Sequence, residues 1–196
     1  MSAAGEQLEK VGFRERLLAG LAESIREKGL QRTQISDIVR HARTSRRTFY
    51  ECFPDKESCF VELVEAANAA ILDEVRVAVD PDAPWELQVD QAIDSYLEAL
   101  AREPSLTVTI SRELPTLGTR GAELLHDSIE RYAQLIVALV GASSAGGTIT
   151  LEGAIMLAGG VAELLGRAVT RGEDVRTVGP AAKDVIKAVL DPSRPR

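Results

Sequence analysis

The sequence predicts an all-α protein in which a small three-helix head is joined by a long helix to a larger helical body. Three observations carry this prediction. Apolar residues recur at three- and four-residue spacing from Phe13 to Leu190. Glycine- and proline-containing breaks divide that pattern into helix-sized segments. The strict apolar–polar alternation of half-buried strands is absent, although Leu106 to Ile110 (LTVTI) is rich in β-branched residues and is the segment least suited to a helix.

Taken in order, Phe13, Leu17, Leu21 and Ile25 fall every four residues in a first helix that ends at Lys28-Gly29, where glycine suits a C-cap. Thr33 to Phe53 (TQISDIVRHARTSRRTFYECF) then holds two short helical patterns joined by a tight turn. Ile35, Ile38, Val39 and Ala42 form the first apolar stripe, and Phe49, Cys52 and Phe53 the second. Asp55 suits the N-cap of a long fourth helix, whose Phe60, Leu63, Val64, Ala67, Ile71 and Val75 keep helical spacing until near Asp80. This places a head at residues 1–54 and a body at 55–196.

In the body, the break Asp80-Pro81-Asp82-Ala83-Pro84 precedes a fifth helix through Trp85, Val89, Ile93, Leu97 and Leu100, stopped at Glu103-Pro104. Ser105 to Glu113 reads as a short sixth helix ended near Pro115. Thr119 to Val140 reads as a seventh, carrying Leu124, Leu125, Ile129, Tyr132, Ile136 and Leu139. Gly141 to Gly147 (GASSAGG) reads as a loop, followed by helices over Thr150 to Thr170 and Val178 to Leu190.

The second short helix is the informative one. Placing Phe49 and Phe53 inward turns Arg47 and Tyr50 outward, with Arg46 and Thr48 on the flanks. Ser45 stands where an N-cap belongs, so the helix start can offer its remaining N–H donors to an anion. Arginines in a first turn oppose the helix dipole, which suggests that an anion is expected there. Guanidinium matches both phosphate and the acceptor pair on a guanine edge. Each arginine alone reads as an ordinary solvated surface residue; the joint pattern reads as a helix-turn-helix built to enter DNA.

Thr33, Ile35, Asp37-Ile38, Ala42, Ser45, Thr48, Tyr50, Phe53 and Lys56-Glu57 together resemble the head of TetR-type transcriptional regulators. The chain departs from that pattern at Arg43, where the family has a turn glycine, and at Val39, where it has alanine. A non-glycine residue in such a turn carries strain of about 1 kcal/mol or more unless the turn closes differently. The resemblance implies a sequence-specific DNA-binding repressor released by a small effector. Ser45, Arg46, Arg47 and Thr48 would read bases, while Thr33, Thr44, Tyr50 and Lys56 would position phosphates, and Arg43 could add another phosphate-facing cation. It further implies a palindromic operator in double-stranded DNA and a homodimer formed through the last two long helices. One head alone reads too few base pairs for useful specificity. The penultimate helix is rich in small residues (Ala154, Ala158, Gly159, Gly160, Ala162), which permit close approach either within one subunit or by a second one.

Charge is unevenly distributed. The chain has a net charge of −7, yet residues 1–60 sum to +2 and residues 61–196 to −9. Within Arg26 to Arg47 seven basic residues face two acidic ones, which gives a local field able to dock on phosphate. The longest uninterrupted apolar run, Leu135 to Val140, is far short of a membrane span, and Glu6, Glu9 and Lys10 occupy the place of a signal-peptide apolar region. A cytoplasmic protein with no membrane partner is expected.

For the body, the resemblance implies a small-molecule pocket. Tyr96, Arg112, His126 and Tyr132 are the polar candidates for effector contact, although each taken alone reads as a satisfied core or surface residue. With 4% aromatics the pocket would be lined by Leu, Ile, Val and Ala, which favours an apolar or flat organic effector. Cys52 and Cys59 raise the question of a redox pair, but Cys52 falls on the inward stripe and reads as a small buried hydrophobe. With His41 and His126 they lack zinc-ligand spacing, so neither metal nor cofactor is expected. Catalytic motifs are missing: GASSAGG lacks the glycine that would complete a nucleophile elbow after Ser143. A helical enzyme, or an interaction module whose basic head binds an acidic protein, remains the alternative to a regulator.

Overall fold

The computed structural model describes residues 3–142 and 148–191, with residues 3–10 given by backbone alone. Its helices are α1 (Ala3–Lys28), α2 (Ile35–His41), α3 (Arg46–Cys52), α4 (Lys56–Ala78), α5 (Trp85–Arg102), α6 (Pro104–Glu113), α7 (Thr119–Ala142), α8 (Leu151–Arg171) and α9 (Gly179–Leu190). Two 3-10 turns, Leu114–Leu117 and Val175–Val178, complete them, and no strand occurs among the described residues. The β-branched Leu106 to Ile110 lies inside α6, where packing overrides propensity. Glu103-Pro104 ends α5 as expected, but Pro104 also opens α6, because proline at the first helical position loses no hydrogen bond. Gly141 and Ala142 form the last turn of α7 rather than a loop; residues 143–147 of that expected loop lie outside the described residues.

In the head, Leu17, Leu21 and Ile25 of α1 meet Ile38 of α2, Phe49 of α3 and Phe53, with Phe60 and Val64 of α4 closing the cluster. Leu114 and Leu124 from the body join the same core. Two seven-residue helices are too short to hold themselves, so this burial is what makes them helical. Gly20 lets α1 approach α2: a Cβ there would sit 2.6 Å from the Ile38 carbonyl oxygen.

Both helix starts expected from the sequence are capped. The Ser45 Oγ accepts from the Thr48 N–H at 3.1 Å, and the Asp55 carboxylate accepts from the Ser58 N–H at 2.7 Å. The α2–α3 turn closes with Arg43 at φ 51°, the only positive φ of a non-glycine among the described residues. The Arg43 N–H donates to the Arg40 carbonyl (3.3 Å) and the Thr44 N–H to the Val39 carbonyl (3.0 Å). This is a Schellman closure with arginine in the position that glycine normally takes.

The α1–α2 loop is tied from beneath. The Lys56 ammonium donates to the carbonyls of Leu30 (2.8 Å) and Thr33 (2.9 Å), and the Thr33 hydroxyl donates to the Gly29 carbonyl at 2.9 Å. Arg14 of α1 binds the Glu62 carboxylate, donates to the Cys52 carbonyl at 2.8 Å and lies 4.6 Å over the Phe53 ring, clamping the end of α3 to α4.

In the body, α4 packs on α5 and α7, α7 on α8, and α5 on α9. Leu72, Val75 and Leu135 form one cluster, and Leu97, Leu165, Val169 and Val178 another.

Two substitutions test this account. Gly20→Ala is expected to lower stability by about 1–3 kcal/mol, read as a drop in Tm, because the added methyl overpacks against a backbone carbonyl that cannot rotate away. Lys56→Met keeps the stem but removes the bonds to two carbonyls, and is expected to cost about 1–3 kcal/mol in urea unfolding.

Candidate nucleic-acid interface and body cavity

The outer face of α3 is an assembled cationic surface. Phe49 is fully buried, so the helix is pinned by one side and turns Arg46, Arg47 and Tyr50 to solvent. Arg47 is 89% exposed and Tyr50 56% exposed. The Tyr50 ring stands edge-on to Phe49 with centroids 5.6 Å apart, which orients a phenol that otherwise points outward. Ser45 is exposed and Thr48 half-buried; their hydroxyl oxygens lie 2.9 Å apart.

Much of the charge counted in this stretch is neutralised internally. Lys28 pairs with Asp37 at 2.7 Å, Arg40 with Glu27 at 3.2 Å, and Arg26 with Glu23 and Glu103. Lys28 above all, with the Gln34 N–H, holds the Asp37 carboxyl below its ordinary range. His41 contacts Glu27 at 3.1 Å and depresses that carboxyl in turn. Arg43 and Arg46 are exposed and make no ion pair among the described residues. Arg47 is paired with Glu51 of its own helix at 2.8 Å. An exposed i,i+4 pair of this kind is worth about 0.3–0.5 kcal/mol, so Arg47 can leave it for a stronger acceptor at little cost. Arg32 in the α1–α2 loop is likewise exposed without an ion pair among the described residues, bonded to the Lys28 carbonyl at 2.8 Å, and the other cations left over, Arg43, Arg46 and Arg47, lie around the start of α3.

Two residues expected to touch phosphate are placed otherwise. Thr33 is 2% exposed, and its hydroxyl is spent on the Gly29 carbonyl. Lys56 is half-buried beneath the α1–α2 loop, and burial lowers the pKa of its ammonium. The sequence pattern recorded which residues recur at these positions without showing that backbone carbonyls lie within their reach. Thr44 is half-buried, and its N–H belongs to the turn. Arg14 and Glu62, which fix the pose of α3, escaped the sequence reading because they are 48 residues apart.

Helices α4 to α9 surround a cavity of about 1080 Å³ walled chiefly by Leu, Ile, Val and Ala. Tyr96 and Tyr132 line it with ring centroids 5.1 Å apart. Burial pushes the Tyr96 phenol up to about 12 and the Tyr132 phenol further, so both stay protonated donors. Arg112 and His126, also expected there, are exposed and lie outside the lining: the helical faces that carry them turn to solvent. Asn68 and Ser128 were missed. The Asn68 amide donates to the Ser128 Oγ at 2.8 Å, the Ser128 hydroxyl to the Leu124 carbonyl at 2.7 Å, and the Tyr132 hydroxyl reaches the Asn68 Oδ1 at 3.4 Å.

The cysteines are both buried, and burial pushes the Cys59 thiol up to about 12, which removes it as a nucleophile at neutral pH. Among the described residues no group of three or more His, Cys, Asp or Glu side chains could hold a metal ion.

On α8 the small residues divide. Ala154 is fully buried against its neighbours, whereas a Cβ on Gly159 or Gly160 would meet nothing within 4 Å. The expected close packing at these glycines is therefore not made within the subunit. Leu151, Ile155, Met156 and Leu164 of α8 are exposed, as are Val185 and Val189 of α9, with Met156 78% exposed. Among the described helices α8 alone is long and apolar enough, by length and composition, to cross a membrane.

Residues 17–63 match the family described as bacterial regulatory proteins, tetR family. An uncharacterized HTH-type transcriptional regulator of Bacillus subtilis (strain 168), YvdT, is 31% identical over 97 residues, which make up 50% of each chain. The chain thus aligns with about half the length of this curated relative. Among solved structures, the transcriptional regulator FadR from Bacillus subtilis in complex with stearoyl-CoA superposes with a TM-score of 0.70 at 15% identity, covering 88% of this chain and 96% of that one. The fatty acid degradation regulator FadR from Bacillus halodurans gives 0.69 at 18% identity, covering 93% and 97%. A regulator from Aquifex aeolicus VF5 gives 0.61 at 19% identity, covering 90% and 99%. Residues 17–63 are thus similar to the tetR family of bacterial regulatory proteins, and the whole chain shares the all-helical fold of these solved transcriptional regulators.

Proposed function

We propose that the protein is a homodimeric, cytoplasmic transcriptional repressor that inserts α3 into the major groove of a palindromic operator and releases it when a small apolar molecule occupies the body cavity. The observation that carries the reading is the outer face of α3, where Arg46, Arg47 and Tyr50 project from a helix that Phe49 and the Arg14 clamp hold in one pose. Arg46 and Arg47, with Ser45 and Thr48, serve base reading. Arg43, Thr44 and Tyr50 serve phosphate positioning, which orients the head without choosing sequence.

The exposed apolar residues of α8 and α9 support the dimer, since they are what these two helices would bury against a second copy. The same use accounts for the apolar character of α8 without a membrane. The cavity supports effector binding: its size and apolar walls suit a drug-sized molecule. The FadR regulator bound to stearoyl-CoA is an example of this fold holding an apolar chain.

Duplexes selected by the protein from a random pool are expected to converge on a palindromic site. Arg47→Ala is expected to weaken that site by about 1–3 kcal/mol and to relax one position within it, with a smaller effect on random DNA. Equal losses on both would remove Arg47 from base reading, and indifference of the wild type to every duplex at low salt would overturn the reading. Met156→Glu is expected to shift the dimer toward monomer in sedimentation equilibrium and to weaken operator binding in parallel.

A further inference from the structure

We propose that the effector is an elongated molecule without formal charge that presents one hydrogen-bond-accepting oxygen, such as a ketone, ester or lactone, to the Tyr96 hydroxyl. This inference rests on the sensing part of the proposed function and narrows its ligand class.

Charge within the cavity wall is the first ground. Only Glu74, Arg102, Glu103 and Glu163 among the lining residues are charged. All four are about half exposed, so they stand where the cavity meets solvent, and each is already in an ion pair. Arg102 binds Glu74, Glu103 binds Arg26 at 3.0 Å, and Glu163 binds Arg167 at 2.7 Å. These four stand at the solvent-facing rim, and the rest of the wall carries no formal charge to meet a carboxylate, a phosphate or an ammonium. A charged group drawn into such a wall loses its hydration without gaining a partner.

The second ground is the arrangement of neutral polar groups. Asn68 of α4, Tyr96 of α5 and Ser128 and Tyr132 of α7 lie on the same wall. Three of them satisfy one another: the Tyr132 hydroxyl reaches Asn68, Asn68 donates to Ser128, and Ser128 donates to the Leu124 carbonyl. Tyr96 stands apart. Its ring packs edge-on to Tyr132, burial alone accounts for its raised pKa, and among the described residues its hydroxyl has no protein partner. Among the described residues no polar side-chain atom sealed from solvent lacks a partner, so the Tyr96 hydroxyl is accessible on the cavity that its residue lines. A buried phenol without an acceptor is an incomplete hydrogen bond, and a ligand oxygen completes it. Of the other neutral polar residues on the wall, Gln88 donates to the Pro81 and Ala83 carbonyls and Thr107 to the Leu100 carbonyl. Beyond these and Ser111 the lining is mainly apolar, and about 1080 Å³ has room for a long apolar remainder.

Trp85, the single tryptophan of the chain, also lines the cavity, so its fluorescence reports occupancy in the intact protein. Three probes of equal chain length separate the classes: 2-dodecanone, dodecanoate and dodecyltrimethylammonium, each titrated below its micellar concentration. The ketone is expected to bind at least tenfold more tightly than either ion. Tyr96→Phe is expected to weaken the ketone about threefold to tenfold, the loss of one hydrogen bond, while binding of N-phenyl-1-naphthylamine, which has no oxygen, stays unchanged and reports an intact cavity. Tighter binding of either ion, or a Tyr96→Phe protein that binds the ketone as well as wild type, overturns the inference and leaves a sensing body in place. Failure of every probe to bind overturns the inference and the sensing reading together, while the selection of duplexes judges DNA binding separately.

Discussion

Head and body share core residues, and the rest of the molecule is arranged around that constraint. Val64 and Leu114 are buried in the cluster that fixes α1, α2 and α3, and both also line the body cavity. The head's packing therefore continues into α4 as far as Val64 and into the start of the Leu114–Leu117 turn. Gly121 seats α7 against that turn, since a Cβ there would lie 1.9 Å from the Leu114 carbonyl oxygen. Polar ties cross the same junction, from Arg26 to Glu103 and from Gln31 to Glu113. A close-packed junction of this kind does not deform smoothly, so it offers a route by which a change in the cavity wall at α6 or α4 would shift the head. The coupling required of such a device is modest, about 1–3 kcal/mol.

Electrostatics works on the same economy of a few residues. A chain of net charge −7 can carry a cationic face because its acidic residues are used up locally or placed far away. Asp37 and Glu27 neutralise the basic residues that build the scaffold of the head, and of the cations left over Arg43, Arg46 and Arg47 surround the start of α3. Net charge would have argued against an anionic partner, whereas the paired and unpaired inventory of one helix argues for it.

The helices were legible because each has a periodic apolar face and a chemically marked end: Gly29 after α1, Ser45 before α3, Asp55 before α4. The outward set on α3 was equally legible, since burying Phe49 fixes the rotation of every residue on a seven-residue helix. Contacts between distant segments were not legible. Lys56 meets carbonyls 26 and 23 residues away, Arg14 meets a carboxylate 48 away, and Asn68 meets Ser128 across 60. The resemblance therefore assigned Thr33 and Lys56 to phosphate without showing the carbonyls they bond here, and residue type put Arg112 and His126 in a cavity whose walls they do not reach. Tyr96 and Tyr132 reach it because they share helical phase with the apolar stripes of α5 and α7, a signal those stripes already contained.

The turn between α2 and α3 shows why a strained residue persists. Arg43 occupies a left-handed conformation that costs an ordinary residue about 1–2 kcal/mol. Glycine would remove that cost, but it would also free the unfolded chain and return about 0.4–1 kcal/mol of the gain as entropy. The net advantage of glycine is thus small. Against it stands the position of the residue: three places before Arg46, exposed, without an ion-pair partner among the described residues, at the turn that sets the start of α3. The Schellman bonds from Thr44 and Arg43 hold that turn whichever side chain is present, because they are made by the backbone. The choice therefore costs folding little, and what arginine adds over glycine is an exposed positive charge near the start of α3.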